Sequence, residues 1–360
     1  MDKYISEKYS KEIFADDEFN PSKVAILENG NLAEFLCSLG PEIPQLGSIH
    51  IARVRQVFRQ HRLATAEIEK GLQISVRLSN DKLNSGELVM VTISAEPWGT
   101  KPARAALGAQ ISGKYVNLLL ARPDISRISK RSISNKTTSF SLINELKKLV
   151  PKDFGVILRR QAIFAEKRLI ENEIDILLDD LRNNSDFPKN LGTISTPKKI
   201  YSGMPLIKTA SLISPTAALK IVKNDTNWKF VYEQIKRASD AKFITKKNVV
   251  IWFQSANALT AIDIDSAGSK MGPSELASHV SEVIMNQIRL RQISGIIVVD
   301  TPRLSKTDQK KFQEACQKHA LSDIRHPDIY GIGPAGLLEM TVRHRHMPLF
   351  ERIKTMSFIS

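Results

Sequence analysis

The sequence predicts an α/β chain of the α+β, multi-subdomain kind, on three observations. NVVIWFQSANALTAIDIDSAGSKMGPSELASHVSEVIMNQIRLRQISGIIVVDTPR (248–303) reads as two β-prone runs, an amphipathic helix and a further strand. Residues 47–121 alternate short β runs with Gly and Pro breaks, the texture of a small antiparallel barrel. VAILENGNLAEFLCSLG (24–40) sets two apolar runs about Asn-Gly, a hairpin with a two-residue turn. The expected division is a tail and the start of a first sheet over 1–46, the barrel over 47–121, a mixed region over 122–200, a linker over 201–247 and an α/β unit over 248–360.

With 360 residues, 42% hydrophobic and 25% charged, the chain can bury the cores of two or three subdomains. No apolar run approaches the roughly 20 residues of a membrane helix, so no membrane span is expected. MDKYISEKYSKEIF lacks an apolar signal core, and with only Cys37 and Cys316, in no metal or disulfide pattern, a cytoplasmic location is the expectation. Lys and Arg number 52 against 38 Asp and Glu, a net charge of +14. Such a surplus fits a nucleic-acid binder, since cations that neutralise phosphates release counterions; the alternative is a basic surface that serves solubility.

In chain order, residues 1–22 are polar and expected to be loosely held. The barrel carries Arg53, Arg55, Arg59, Arg62, Lys101, Arg104 and Lys114, which either hold phosphate or form a solvated face. Residues 122–139 are basic and loop-like, SLINELKKLV (141–150) is a short helix, and Val156–Leu158 runs as a strand into Arg159-Arg160. Two adjacent guanidiniums can grip a phosphate, or pair with Glu166 or Glu171 of the helix expected over 162–186. Residues 187–243 read as loops and short strands, with SPTAALKIV a capped helix start.

In 248–303, Pro273 suits a first helical turn, Leu276, Val280, Val283, Ile284 and Ile288 recur at helical spacing, and Gly295 ends the helix. Asp263 and Asp300 close the two strands that flank this helix, where sites in α/β sheets are built, and Asp265 shares the face of Asp263. Carboxylates gathered at one edge suit Mg²⁺ or Mn²⁺; the alternative is that these aspartates cap the turns that follow them. Residues 301–321 read as a second helix with Ser305 as N-cap, and His344 and His346 alternate within the basic run 342–346.

ALTAIDIDSAG, GIIVVD and GLLEM (336–340) resemble the catalytic core of the ribonuclease E/G family of endoribonucleases. The resemblance implies that Asp263 and Asp300 hold a catalytic Mg²⁺ (or Mn²⁺). Asp265 stands where the family has the asparagine that orients the first carboxylate, with Lys270 a substitute for a displaced basic residue. It implies that 24–40 opens a split RNase H-like platform, that 47–121 is an inserted OB-fold RNA-binding barrel, and that 122–200 is a 5′-sensor-like region before a shortened platform remainder. Where the family barrel stacks bases on aromatics, this chain has Thr65 and no aromatic in Leu72–Val76, leaving Arg53, Arg55, Lys101, Arg104 and Lys114 to hold RNA. Arg159 matches the arginine of the family's 5′-phosphate motif and Arg160 replaces its threonine; Arg343 and Arg345 stand in for the basic residues over the scissile phosphate, whose first member here is Val342.

The activity so implied is a metal-dependent endoribonuclease that hydrolyses single-stranded, A/U-rich RNA to 5′-monophosphate products in RNA processing or decay. The other expectation is a catalytically weak or inactive RNA-binding protein on the same scaffold, suggested by Asp265 in place of the asparagine, Arg160 in the sensor motif, the absent zinc link and the basic residue displaced to Lys270. No CxxC occurs, so neither zinc nor the family's zinc-linked dimer is expected, and the oligomeric state stays open.

Overall fold

A computed structural model describes residues 10–16, 22–78, 82–128, 136–187, 194–222 and 225–355. Expectations for the first nine residues, for parts of the 122–139 and 187–243 stretches, and for the last five residues lie outside it. The chain divides into two compact units, residues 1–38 with 216–360, and residues 39–215.

The chain begins in the first unit with β1 (Lys11–Asp16), β2 (Lys23–Glu28) and β3 (Asn31–Cys37), an antiparallel meander. Asn29 and Gly30 turn the hairpin at φ 52° and 71°, the left-handed geometry that makes Asn-Gly the favoured pair. Lys11–Asp16, expected to be a loose tail, is a strand because Ile13 and Ala15 alternate into the core.

The second unit opens with β4 (Ile49–Phe58), β5 (Leu63–Glu67), β6 (Gln73–Arg77), β7 (Leu88–Ala95) and β8 (Ala103–Leu107). They pair in the order β4-β5-β6-β8-β7, β7 returns to β4, and the β6–β8 pair is parallel. This closed five-stranded barrel is consistent with an OB fold. Its interior takes every second residue, among them Val54, Ala64, Ala66, Ile74, Val76, Val91 and Ile93. A second layer follows: β9 (Gln110–Ser112), β10 (Val116–Leu119), β11 (Ser126–Ile128), α1 (Lys136–Leu146), β12 (Gly155–Leu158) and α2 (Lys167–Asn184). β13 (Lys198–Tyr201) then joins β4, and α3 (Leu206–Ile213) closes the unit.

Two buried polar groups hold this unit. The Glu173 carboxylate accepts the backbone N–H groups of Lys114, Tyr115 and Val116 at 2.7–2.8 Å, and any Cβ at Gly113 would collide with it. Burial pushes its pKa up to about 6 against those hydrogen bonds. In the barrel, His50 Nε2 lies 2.8 Å from Ser48 Oγ and Nδ1 2.8 Å from Glu69. That is the connectivity of a serine–histidine–acid triad, but Ser48 and His50 are 2% and 3% exposed and the Ser48 hydroxyl donates to the Gln45 carbonyl. The three residues form a clasp rather than a nucleophile.

Burial pushes the Glu69 carboxyl up, but the hydrogen bond and charge of His50, with Lys199 beyond, hold it below its ordinary value of 4.5. Its stabilisation is therefore present above that value and lost as pH falls through the lower folded-state pKa. Melting curves from neutral to acid pH should show Glu69→Gln less stable than wild type at neutrality, with the two converging in acid. Parallel curves would contradict this.

The first unit resumes at β14 (Ala218–Ile221), which pairs in parallel with β1 and completes the order β14-β1-β2-β3. The sequence reads this stretch as a helix start, but the free edge of β1 recruits it as a strand, a tertiary contact that outweighs local propensity. Next come α4 (Asp225–Ser239), β15 (Lys242–Ile244), β16 (Val250–Ser255), β17 (Leu259–Asp265), α5 (Pro273–Leu290) and β18 (Gly295–Asp300). The chain ends through α6 (Lys306–Ala320), β19 (Asp328–Ile332), β20 (Leu337–Val342) and α7 (Leu349–Lys354). The second sheet runs β15-β16-β17-β18-β20-β19.

α5 has Pro273 in its first turn and ends at Leu290, where Gln292, at φ 56°, turns the chain; Gly295, expected to stop the helix, instead opens β18, and Ser305 caps α6 by accepting the Asp308 N–H. Val280, Ile284 and Ile288 of α5 and Phe312 and Cys316 of α6 pack on Ile262, Ile297, Val299, Leu338 and Met340 of the sheet. Each such fully buried side chain contributes about 1.5–3 kcal/mol. Burial pushes the Cys316 thiol up to about 12, so it behaves as a small apolar residue. Among the described residues no helix is long and apolar enough to cross a membrane.

Candidate active site at the carboxyl edge of the six-stranded sheet

The alternation of β17 decides which side chains are available. Thr260 and Ile262 are buried and Ile264 is 9% exposed, while Asp263 and Asp265 are exposed on the opposite face. In β18, Ile297 and Val299 are buried and Asp300 is exposed. β17 and β18 pair in parallel from Leu259↔Ile296 to Ile262↔Val299, so the next residue on each strand is Asp263 and Asp300. Asp263 and Asp300 thus follow the last paired residues of two adjacent strands, at the carboxyl edge of the sheet.

Among the described residues neither Asp263 nor Asp300 has a hydrogen-bond or ion-pair partner. Two like charges placed side by side repel unless a cation lies between them. Mg²⁺ commonly takes one or two carboxylates and completes its shell with water and substrate phosphate, so this donor set fits it. Asp265 does something else: its Oδ1 accepts the Ala267 N–H at 2.9 Å, the turn-capping role that the sequence left open. No group of three or more His, Cys, Asp or Glu among the described residues is arranged to hold a metal. A third carboxylate ligand is therefore not part of the arrangement.

Cations rim the same edge. Lys270 is exposed in the loop between β17 and α5, and Gly268 of that loop lies against the Asn248 carbonyl in the turn that carries exposed Lys246. Arg303 is exposed three residues beyond Asp300. The helix starts of α5 and α6 follow these two strands, so their N-termini lie at this edge and add partial positive charge.

Arg343 and Arg345, expected over the same phosphate, are elsewhere. β20 runs antiparallel to β18 with Asp300↔Leu337 at one end and Gly295↔Val342 at the other. Residues after Val342 thus leave the sheet roughly 16 Å from the carboxylates, five strand steps away. There Arg343 is exposed, and the half-buried Arg345 guanidinium is held below the ordinary arginine value by desolvation and by Arg343 and Arg325, against the pull of Asp323 and Glu34. His344 Nδ1 lies 3.3 Å from Ser294 Oγ and His346 Nδ1 3.1 Å from Arg352, so neither histidine serves this edge.

In the 39–215 unit, Arg159 is 8% exposed and donates to the Gly113 carbonyl beside Glu173, while Arg160 is half-buried at the start of a 3₁₀ turn. The two guanidiniums are not presented together. On the barrel, Arg55 pairs with Glu67, Arg53 donates to the carbonyls of Gly86 and Ser195, and Lys114 donates to the Ile213 carbonyl. Arg104 is exposed with its guanidinium held down by desolvation and by Arg77, and Lys101 lies 5.8 Å from the centroid of Trp98. Thr65 pairs with Ser75 on the outer face, so the middle of that surface is polar and carries no aromatic.

Trp252, Lys246 and Arg303 were not singled out in the sequence. Counting the β16–β17 hairpin back from its turn would have set Trp252 opposite Asp263, which is the observed pairing.

Residues 214–346 match the sequence model of the Ribonuclease E/G family. Similar curated proteins include Ribonuclease E of Buchnera aphidicola subsp. Schizaphis graminum, 26% identical over 308 residues, 74% of this chain and 31% of that protein. Ribonuclease G of Salmonella typhimurium is 24% identical over 319 residues (75% and 62%), and Ribonuclease G of Escherichia coli 23% over 323 residues (76% and 63%). The chain thus spans about a third of the ribonuclease E relative and under two thirds of either ribonuclease G.

Proposed function

We propose that the chain, whose residues 214–346 match the Ribonuclease E/G family model, is a member of that family and a metal-dependent endoribonuclease whose active site is the carboxyl edge bearing Asp263 and Asp300. The observation that carries the reading is the pair of exposed, unpartnered carboxylates at neighbouring register positions of two parallel strands. Asp263 and Asp300 would hold the Mg²⁺ or Mn²⁺. When bound, such an ion supplies Lewis-acid polarisation of a phosphate oxygen and a more acidic water.

This chain's own residues do the rest. Lys246, Lys270 and Arg303, with the starts of α5 and α6, draw the RNA backbone to the edge and offset the charge of a phosphate approaching two carboxylates. Asp265 fixes the turn that positions Lys270. A water attacking the phosphorus in line leaves a 5′-monophosphate on the downstream product. The reading extends to single-stranded, A/U-rich RNA, to which the barrel cations Lys101, Arg104 and Arg55 would add phosphate contacts. A platform of RNase H type is supported by the β3-β2-β1-β14 order with its parallel last pair.

The direct test is incubation of a short single-stranded A/U-rich RNA with the protein in Mg²⁺, Mn²⁺ or EDTA. Internal cuts with 5′-phosphate ends in either metal and none in EDTA are expected; cutting that persists in EDTA would contradict the metal site. Salt-sensitive binding without any cutting would favour the second reading, an RNA-binding protein on this scaffold, which Asp265's commitment to a turn favours.

Because Arg159 is occupied within the fold, end sensing should be weak. RNAs bearing 5′-monophosphate and 5′-hydroxyl ends should be cut at rates within about threefold of one another, less than one charge-assisted contact contributes. A tenfold preference for the phosphate would show that Arg160 suffices.

A further inference from the structure

The face of the six-stranded sheet away from α5 and α6 carries an ordered row of side chains. Lys242 of β15 pairs with Trp252 of β16, Trp252 pairs with Asp263 of β17, and Asp300 of β18 is the next neighbour. Trp252 is a large aromatic with 36% of its surface exposed. The Lys242 ammonium lies 5.3 Å from its ring centroid, on the β15 side. β15 and β17 flank β16 on opposite sides, so the ring face away from Lys242 is the one toward Asp263.

We propose that Trp252 is a stacking platform for the base next to the scissile phosphate, with Lys242 bracing the ring and meeting the backbone. This rests on the reading of Asp263 and Asp300 as the cleavage site, and adds a base-binding position to it. The chemistry is that of single-strand recognition: an aromatic face accepts any base, and cations track the phosphates. The charge fits, because Lys242, Lys246, Lys270 and Arg303 are all exposed on or near this face. A core role does not account for Trp252, since the sheet's core lies on the other face and its strand neighbours Ile251 and Phe253 supply it.

The test separates binding from cleavage. Affinity of a short fluorescein-labelled A/U-rich RNA is measured by anisotropy in EDTA for wild type, Trp252→Ala and Trp252→Phe, with melting curves confirming that each folds. Trp252→Ala should weaken binding about tenfold and Trp252→Phe should restore most of it, as loss and return of one stacked base would. In wild type, an abasic nucleotide beside the mapped cut should produce the same loss, and should cost Trp252→Ala nothing further. Binding by Trp252→Ala within twofold of wild type overturns the proposal. So does a dimer in sedimentation that Trp252→Ala dissolves while RNA affinity holds, since the face would then serve a second copy. Cleavage in Mg²⁺, run in parallel, decides the active-site reading independently: stacking without cuts leaves Trp252 as a binding residue, and cuts indifferent to Trp252 leave the active site without this platform.

Discussion

Asp263→Asn and Asp300→Asn should each lower metal-dependent RNA cleavage by about a thousandfold, while leaving the fold as stable as wild type or slightly more so. The loss follows because each removes a charge from the proposed two-carboxylate site, beside which no third His, Cys, Asp or Glu is gathered among the described residues. The unchanged stability follows because both side chains are exposed and hold no hydrogen bond or ion pair among the described residues. Their mutual repulsion is also relieved, so melting in EDTA should stay within about 0.5 kcal/mol of wild type or above it. A structural aspartate would behave the opposite way, with stability falling along with activity. Asp265→Asn makes an informative companion, because an asparagine still accepts the Ala267 N–H with its side-chain carbonyl. It should fold normally and, having lost a negative charge near the approaching phosphate, cut at least as well as wild type.

Arg289→Met should be among the most destabilising single changes in the 1–38 and 216–360 unit, at about 3–5 kcal/mol. Arg289 is 2% exposed near the end of α5, with Nε 2.5 Å from Glu34 of β3 and Nη1 3.0 Å from Glu28 of β2. The charges of those two glutamates raise its pKa against the burial that would lower it. Its removal strands Glu34, 3% exposed, as an unpaired charge under a helix. Replacing Arg289 and Glu34 together by Met and Leu should recover most of the loss, since an apolar pair of similar volume needs no compensation. The readout is urea unfolding of the single and double variants. A single variant within about 1 kcal/mol of wild type would show the pair to be solvated. Because α5 links the strands bearing Asp263 and Asp300, the single variant should also lose cleavage at temperatures where wild type is active.

The helix between the two aspartates was legible because two independent signals agree, Pro273 at its start and a periodic apolar stripe; its end was not, because Gln292 rather than Gly295 takes the left-handed turn after Leu290. The barrel was legible from the spacing of its Gly and Pro breaks, and the Asn-Gly hairpin from its turn. What the sequence could not show were features decided by pairing at a distance. β14 carries the composition of a helix start and becomes a strand because β1 offers an open edge. Arg343 and Arg345 follow a strand, but only its antiparallel register against β18 reveals that they emerge at the end opposite Asp300. Arg159 has the look of a ligand-facing arginine until Gly113 and Glu173 are seen to enclose it. Trp252 was hidden for the same reason, as an ordinary residue of a β run until the hairpin set it beside Asp263.

Asp263 and Asp300 are proposed to hold one divalent cation between them. Electron paramagnetic resonance of Mn²⁺ titrated with protein tests that shared site without requiring any RNA to be cut. Wild type should bind one Mn²⁺ in competition with Mg²⁺, and Asp263→Asn and Asp300→Asn should each lose that binding while remaining folded. Retention of Mn²⁺ by both variants at wild-type affinity would place the metal elsewhere and contradict a site built on these two aspartates.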